Sequence, residues 1–148
     1  MAAAAVAIAP LAEADFAEWE TLARGYKDFY GTVVADEDYR RTWRRVIADG
    51  AVHGLGARLD GELVGFAHYL FHPHSWESEV CYLQDLYTAQ GARGRGVGRA
   101  LIDAVADAAR ARGAGRFYWL TKADNAEARA LYDRIARHTG FIRYDYAL

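Results

Sequence analysis

A loop rich in glycine and arginine is the part of the sequence best suited to bind a charged ligand. Its residues, Arg93-Gly94-Arg95-Gly96-Val97-Gly98, lie between a predicted strand and a predicted helix. The first N–H groups of a helix have no partner within it, and the helix dipole adds partial positive charge there. Glycine lets an anion approach because it has no Cβ. The loop therefore predicts a phosphate or pyrophosphate site, although a plain tight turn would also use these glycines.

Two common nucleotide-binding motifs do not fit this loop. A Walker loop needs a lysine directly after its second glycine, but Gly96, five residues after Gly91, is followed by Val97. The dinucleotide fingerprint Gly-x-Gly-x-x-Gly would require glycines in place of Arg99 or Leu101. An ATP or NAD site is therefore not favoured.

Length and composition bound the function further. The chain has 148 residues, which predicts a single domain over residues 1–148. Its 18 basic and 20 acidic residues give a net charge of −2, so we expect no nucleic-acid partner. One cysteine, no signal-peptide pattern and no apolar run of membrane-spanning length predict a cytoplasmic protein without a membrane partner.

Hydrophobic periodicity predicts a mixed α/β (α+β) fold in the order β-αα-βββ-α-β-α-β. The Asp60-Gly61 pair predicts a two-residue hairpin, and the unit around residues 79–121 predicts two parallel strands joined by a helix. The sheet should be mostly antiparallel with that central parallel unit and helices on both faces. Strands are expected at residues 6–9, 52–59, 62–71, 79–88, 116–121 and 141–146, and helices at 11–30, 36–48, 97–112 and from 124 or 125 to 138.

Strict alternation along the third β run gives each side chain a face. It predicts Cys81, Leu83, Asp85 and Tyr87 on one side of the sheet, and Tyr82, Gln84 and Leu86 on the other.

The loop belongs to a wider resemblance. Its spacing Arg93-x-x-Gly96-x-Gly98 matches the Arg/Gln-x-x-Gly-x-Gly/Ala pyrophosphate motif of the GNAT acetyltransferases. The strand 82–87, with the sequence Tyr-Leu-Gln-Asp-Leu-Tyr, and the segment 125–141 resemble two further motifs of that family, in the same order. The resemblance covers nearly the whole chain and is nearest to the polyamine acetyltransferases and the yeast histone-and-polyamine group.

This resemblance implies an enzyme that moves an acetyl group from acetyl-CoA to a primary amine of a small molecule, such as a polyamine or an amino acid, by direct attack. A protein-lysine or N-terminal acetyltransferase, and a non-catalytic acyl-CoA-binding sensor, are the alternatives. It also implies a homodimer. Only residues 141–148 follow the last predicted helix, so one of the two usual final strands is expected to be shortened or absent, which leaves the dimer geometry open.

The resemblance also assigns the cofactor-binding residues. The strand is expected to pair with the pantetheine arm, the loop to hold the pyrophosphate, and Asn125 to act near the thioester, unless it only caps a helix. These residues are Leu86, Tyr87 and Thr88 of the strand, Arg93, Gly94, Arg95, Gly96, Val97, Gly98 and Arg99 of the loop, and Asn125.

Tyr132 and Asp85 are the candidate catalytic residues. Tyr132 matches the family's general acid and would protonate the departing thiolate, since a phenol is protonated at neutral pH; its alternative role is packing in the helix. Asp85 would accept the amine proton or bind a substrate ammonium, or be satisfied by neighbouring N–H groups. Gln84 stands where related enzymes have glutamate and cannot serve as a base.

Acceptor-binding residues are less sharply predicted. Phe29, Tyr30, Trp76 and Gln84 are the candidates for substrate contact. Carboxylates that would suit a cationic acceptor are Asp36, Glu37, Asp38, Glu77, Glu79 and Asp85, with Glu77 and Glu79 as reserve bases.

The remaining candidates for chemistry favour structural roles. His72 and His74 form a His-x-His pair, but no further ligand stands at a metal-site spacing, so no metal is expected. Cys81 is expected to be a small core residue.

Overall fold

The computed structural model describes residues 3–148. Nine main elements follow one another within that range, with short 3-10 turns at Glu13–Asp15 and Gln90–Ala92. They are β1 (Ala7–Pro10), α1 (Phe16–Phe29), α2 (Asp36–Ile47), β2 (Val52–Leu59), β3 (Glu62–His72), β4 (Val80–Thr88), α3 (Val97–Arg112), β5 (Arg116–Trp119) and α4 (Ala126–Ile135).

The five strands form one sheet in the order β1-β2-β3-β4-β5. The first four are antiparallel, and β4 and β5 are parallel. Asp60 and Gly61 at the β2–β3 turn both have positive φ, 51° and 83°, as a type I′ hairpin requires. The predicted mixed sheet with a parallel βαβ unit is confirmed.

The two faces of the sheet are covered by different helices. Leu101 and Val105 of α3, each 0% exposed, centre one apolar core, the α3-side core. Trp19 of α1, Trp43 of α2 and Phe66 of β3 centre a second core, the α1–α2-side core. Helices therefore lie on both faces, as predicted.

Gly65 of β3 sets the distance between α3 and the sheet. A Cβ at this position would lie 2.9 Å from the carbonyl oxygen of Tyr87 and 2.9 Å from Cγ1 of Val97. Only glycine leaves room for the first turn of α3 to pack directly on β3 and β4. This contact fixes the position of the glycine loop, because the loop joins β4 to α3.

A β-bulge in β4 overturns the predicted alternation of side chains. His68 pairs with Asp85 and Tyr69 pairs with Leu83, so Gln84 is an extra residue on β4.

The bulge changes which side of the sheet the β4 side chains face. Cys81 and Leu83 pack in the α3-side core, as does Leu86 beyond the bulge. The side chains of Asp85 and Tyr87 face the α1–α2 side instead, where Tyr87 packs in that core and Asp85 meets α1. The predicted common face was wrong because one inserted residue reverses a period of two.

The predicted last strand at residues 141–146 is also wrong. The last helix ends at Ile135 rather than near His138, and residues 136–148 form neither helix nor strand. Phe141 is 89% and Tyr146 90% exposed. Alternating aromatic residues do not form a strand without a partner strand and a buried face.

None of the helices within residues 3–148 combines the length and apolar character that a bilayer crossing requires.

Candidate functional site

An open cleft lies where β4 and β5 stop pairing. The parallel ladder joins Val80–Leu83 to Arg116–Trp119 and ends there, although β4 continues to Thr88. Between this part of β4 and α4, Leu86, Tyr87 and Thr88 line a cleft of about 470 Å³. An extended ligand with amide groups can add to such a free strand edge.

The glycine loop closes one end of this cleft. Gly94 and Gly96 have left-handed φ values of 75° and 81°, and Gly96 is the N-cap of α3. Ala100 donates to the Gly96 carbonyl at 3.0 Å, so the N–H groups of Val97, Gly98 and Arg99 precede the first bond within the helix. Apart from its chain neighbours, no atom of residues 3–148 lies within 4 Å of a Cβ built on Gly96, so the loop is open to a ligand. These features fit an anion such as a diphosphate.

The loop arginines differ in their contacts. The Arg93 side chain donates from Nε to the Thr88 carbonyl at 3.2 Å, and its guanidinium lies 5.3 Å from the Phe29 ring centroid. Arg99 lines the cleft while it pairs with Asp103 at 3.0 Å. Arg95 does not line the cleft. Arg93 and Arg99 therefore add the positive charge at this end.

The opposite wall of the cleft is α4. Asn125 caps this helix by accepting from the Ala128 N–H at 3.4 Å, and its amide donates to Thr121 Oγ1 at 3.2 Å. Tyr132 lies about two turns further along α4, on the same side as Asn125, with its ring centroid 5.3 Å from that of Trp119. Burial, together with the nearby Tyr30, raises the pKa of Tyr132 to about 12. The phenol therefore keeps its proton throughout the neutral range.

The donors of this cleft fit acetyl-CoA. Backbone N–H groups at a helix start, two arginines and a free strand edge match a diphosphate and an amide-containing arm. The residues would be Leu86, Tyr87, Thr88, Arg93, Gly94, Gly96, Val97, Gly98, Arg99 and Asn125, all of which line the cleft.

A second pocket of about 240 Å³ lies between α1, α2 and strands β3 and β4. Tyr26 lines this pocket and the cleft, so the two cavities adjoin at its side chain. Asp85 lies in the second pocket, where its carboxylate accepts from the Tyr26 hydroxyl at 3.0 Å and contacts His68 Nδ1 at 3.0 Å.

Asp85 is held as an anion. Burial by itself would raise the pKa of Asp85, but its interactions with His68, then the hydrogen bond from Tyr26 and the charge of Lys27, outweigh it and lower that pKa. A carboxylate with a lowered pKa is a poor proton acceptor near neutral pH and a good partner for an ammonium group.

Both signs of charge line the second pocket. Lys27 and Arg45 supply positive charge, and Asp85 and Asp38 supply negative charge. Asp38 is already paired with Arg41 at 2.8 Å, so Asp85 is the stronger candidate for a new cation.

The other predicted substrate residues lie in different places. Phe29 and Tyr30 line the cleft, and Gln84 lines the second pocket. Trp76 is 91% exposed and lines neither cavity. The reserve bases are engaged elsewhere, since Glu77 pairs with Arg116 at 2.7 Å and Glu79 with Arg112 at 2.6 Å.

The sequence alone did not predict a role in the site for three residues near Asp85: Trp19, Tyr26 and His68. The signal for His68 is a single histidine inside the apolar stretch Phe66-Ala67-His68-Tyr69-Leu70 of β3. A polar group in a buried strand needs partners, and those partners come from α1 and β4. Within residues 3–148, no three His, Cys, Asp or Glu side chains gather as a metal site would require.

A comparison with known families identifies the family to which the chain belongs. Residues 19–136 match the model of the acetyltransferase (GNAT) family. The chain belongs to the GNAT family. It is therefore an N-acetyltransferase, and enzymes of this family use acetyl-CoA as the acetyl donor.

Individual relatives agree with this assignment. A D-amino-acid N-acetyltransferase of Saccharomyces cerevisiae is 36% identical over 131 residues, which is 85% of this chain and 81% of the yeast protein. A ribosomal-protein-alanine N-acetyltransferase from Brucella melitensis has 27% identity and a TM-score of 0.82, over 97% of this chain and 100% of that one. An aminoglycoside N-acetyltransferase solved with CoA shares the fold, with 16% identity and a TM-score of 0.87, over 99% of this chain and 97% of that one.

Proposed function

We propose that this GNAT enzyme acetylates the primary amine of a small zwitterion, an α-amino acid being the simplest case, and takes the acetyl group from acetyl-CoA. The observation that carries this is the second pocket. It presents the anionic Asp85 together with Lys27 and Arg45, and it adjoins the cleft at Tyr26. The ammonium would meet Asp85 and the carboxylate would meet the cations.

The same pocket disfavours the alternative acceptors. A polyamine carries only positive charge, so Lys27 and Arg45 would repel it. A volume of about 240 Å³ suits a small molecule better than a protein segment. The yeast relative named for D-amino acids supports the amino-acid class.

The proposed reaction divides the work between the two cavities. Acetyl-CoA supplies an activated thioester. The cleft residues hold it, with the N–H groups of Val97, Gly98 and Arg99 on the diphosphate. Asp85 anchors the ammonium, which loses a proton to solvent before its nitrogen attacks. As the N–C bond forms and the C–S bond breaks, the Tyr132 hydroxyl gives its proton to the departing sulfur. The acylated nitrogen then loses its extra proton to solvent, and Tyr132 regains a proton from solvent.

Thiol release with purified protein tests this function. We expect release that depends on the amine, across a panel of D- and L-amino acids, their carboxamides, polyamines, aminoglycosides and lysine peptides. Free amino acids should exceed their carboxamides, because the carboxamide lacks the charge that Lys27 and Arg45 attract. Asp85→Asn should raise KM for the amine about tenfold or more, whereas Asp38→Asn, on the same pocket but already paired, should change it less.

Two outcomes would contradict the proposal. If the protein binds acetyl-CoA but releases no thiol with any amine of the panel, the site does not catalyse the proposed reaction and a sensor is favoured. A clear preference for polyamines or lysine peptides would keep the reaction and reject the zwitterion.

We also propose a homodimer. The support is twofold: the segment 141–148 has large apolar side chains that are exposed in the single chain, and the sheet described within residues 3–148 ends at β5. Pairing with a second copy would cover both.

A further inference from the structure

A chain of hydrogen bonds leads from the α1–α2-side core to Asp85 in the second pocket. The Trp19 indole Nε1 donates to His68 Nε2 at 3.0 Å, and His68 Nδ1 lies 3.0 Å from Asp85 Oδ2. Trp19 is 1% and His68 3% exposed. The reaction described above uses neither residue, although both are buried directly behind the carboxylate that would receive the amine.

The donors and acceptors of this chain fix its protons. An indole N–H can only donate, so His68 Nε2 must accept and carries no proton. A neutral imidazole holds one proton, which is therefore on Nδ1 and is donated to Asp85 Oδ2. A doubly protonated ring would place an Nε2–H against the indole N–H, two donors 3.0 Å apart. The contact with Trp19 therefore opposes formation of an imidazolium.

The neutral state of His68 determines what Asp85 offers to a ligand. An imidazolium in this place would form an ion pair and neutralise the carboxylate. A neutral N–H donor orients the carboxylate and leaves its negative charge in place. His68 and Tyr26 occupy one lone pair on each oxygen, and a carboxylate has about four such sites, so roughly two remain for the pocket.

We propose that Trp19 and His68 are positioning residues of the acceptor site: Trp19 holds His68 as the neutral Nδ1–H tautomer, and His68 thereby holds Asp85 as an oriented, fully charged partner for the substrate ammonium. This inference rests on the proposed function for the identity of the ligand, but the tautomer itself does not depend on it.

Titratable and charged groups face His68 and Asp85 from the helices and strands packed against them. Carboxylates, phenols, lysine and arginine ordinarily titrate outside the range of about pH 5 to 9. The groups that face His68 and Asp85 are Tyr26, Lys27 and Tyr30 from α1 and its end, Asp38, Tyr39 and Arg45 from α2, and Tyr82 from β4.

Nitrogen NMR of the intact enzyme, labelled at its histidine rings, tests the tautomer directly. We expect the His68 signals, identified by their loss in His68→Asn, to report a protonated Nδ1 and an unprotonated Nε2 between pH 6 and 8. A protonated Nε2 in the wild-type enzyme would overturn the proposal, whatever the activity.

The pH dependence of KM for the amine in Trp19→Phe tests whether Trp19 keeps His68 neutral. Phenylalanine keeps an aromatic ring and removes the N–H, so His68 can gain a second proton as the pH falls and then neutralises Asp85. We expect the ratio of KM for the amine, variant to wild type, to rise about tenfold between pH 8 and pH 6, while kcat changes less. The substrate's own ionisation cancels in this ratio.

Two further variants control for packing. Trp43→Phe is matched, since Trp43 is buried in the same core with its ring 5.0 Å from that of Trp19, and its KM ratio should be flat with pH. His68→Asn retains an amide donor near the Nδ1 position and gains no proton, so it should keep a KM near wild type at both pH values, whereas His68→Leu should lose affinity at both.

The outcomes separate the two proposals. If the wild-type enzyme acetylates no amine, the proposed function fails while the NMR result stands by itself. If the wild-type enzyme is active but Trp19→Phe follows Trp43→Phe at every pH, or if His68→Leu binds amine as tightly as His68→Asn, the positioning role is wrong.

Discussion

At Tyr132, burial and the proposed chemistry favour the same protonation state. Its pKa is raised to about 12, first by burial, and an acid works only below its pKa. We expect no loss of kcat from this group as the pH rises to about 10, because it would lose its proton only near its raised pKa. Tyr132→Phe should lower kcat by about 10²-fold or more while acetyl-CoA affinity stays within about twofold. Steady-state kinetics and calorimetry measure the two effects.

Tyr118→Phe is the control for Tyr132. Its hydroxyl lies 3.2 Å from His72 Nε2 and its ring stacks on Tyr82, outside the cleft. We expect this variant to retain kcat. An unchanged kcat in Tyr132→Phe would remove the phenol from the reaction and leave it only a packing role against Trp119.

Candidate site residues that stand in contiguous motifs could be predicted from the sequence. Residues that contact one another only in the folded structure could not. The glycine loop and Tyr132 stand in short patterns, and both line one cleft in the structure. Trp19 and His68 are 49 positions apart, and His68 and Asp85 are 17 apart. No local pattern links them, because only the packing of α1 on β3 and β4 brings them into contact.

At the scale of elements, the bulge at Gln84 determines which cavity Asp85 serves. The structure contains all four predicted helices and five of the six predicted strands, since amphipathic patterns reflect the two faces of the sheet. The bulge leaves no mark on that periodicity. Without it, Asp85 would share a face with Cys81 and Leu83, which are 0% and 2% exposed in the α3-side core. Because of this one extra residue, the carboxylate faces Tyr26 and the second pocket instead.

The start of α3 carries a prediction for cofactor binding. Gly96→Glu adds a negative side chain where the diphosphate is expected, at a residue with φ 81°. We expect loss of acetyl-CoA binding, measured by calorimetry, and a destabilisation of about 1–2 kcal/mol from the left-handed backbone.

Gly50→Glu separates these two effects. Gly50 has φ 70° and an equally open surrounding, but it follows α2 and lines neither cavity. It should show a similar loss of stability in thermal unfolding and unchanged acetyl-CoA affinity. A folded Gly96→Glu protein that still binds acetyl-CoA as well as Gly50→Glu would show that the loop does not hold the diphosphate.

At the scale of the whole molecule, the two cavities are built from different sets of elements. Helices α3 and α4, the end of β4 and the C-terminal part of α1 line the cleft, while α1, α2, β3 and β4 line the second pocket. Tyr26 stands between them with its hydroxyl on Asp85, and burial raises its pKa, so it remains a donor. An amine held at Asp85 and a donor held in the cleft would therefore meet beside this side chain.

The segment that follows α4 carries the last prediction, which concerns assembly. Residues 141–148 carry five large apolar side chains that are at least 75% exposed: Phe141, Ile142, Tyr144, Tyr146 and Leu148. Leaving such a patch in water is unfavourable by about 25 cal/mol per Å² relative to burial. Within residues 3–148, β5 pairs only with β4, so it is an edge strand to which a further strand could add. We expect the enzyme to be a dimer in light scattering at micromolar concentration, and a chain shortened to residues 1–140 to be a monomer.

A milder change separates the apolar contact from the loss of backbone. Phe141→Ser with Tyr144→Ser keeps the segment but removes two of its rings, and should shift the equilibrium toward monomer. Val33→Ser is the matched control, since Val33 is 97% exposed between α1 and α2, far along the chain from this segment. If the shortened chain remains a dimer, the contact between copies lies elsewhere. If the wild-type enzyme is a monomer at every concentration tested, the exposed segment has another partner and the homodimer is rejected.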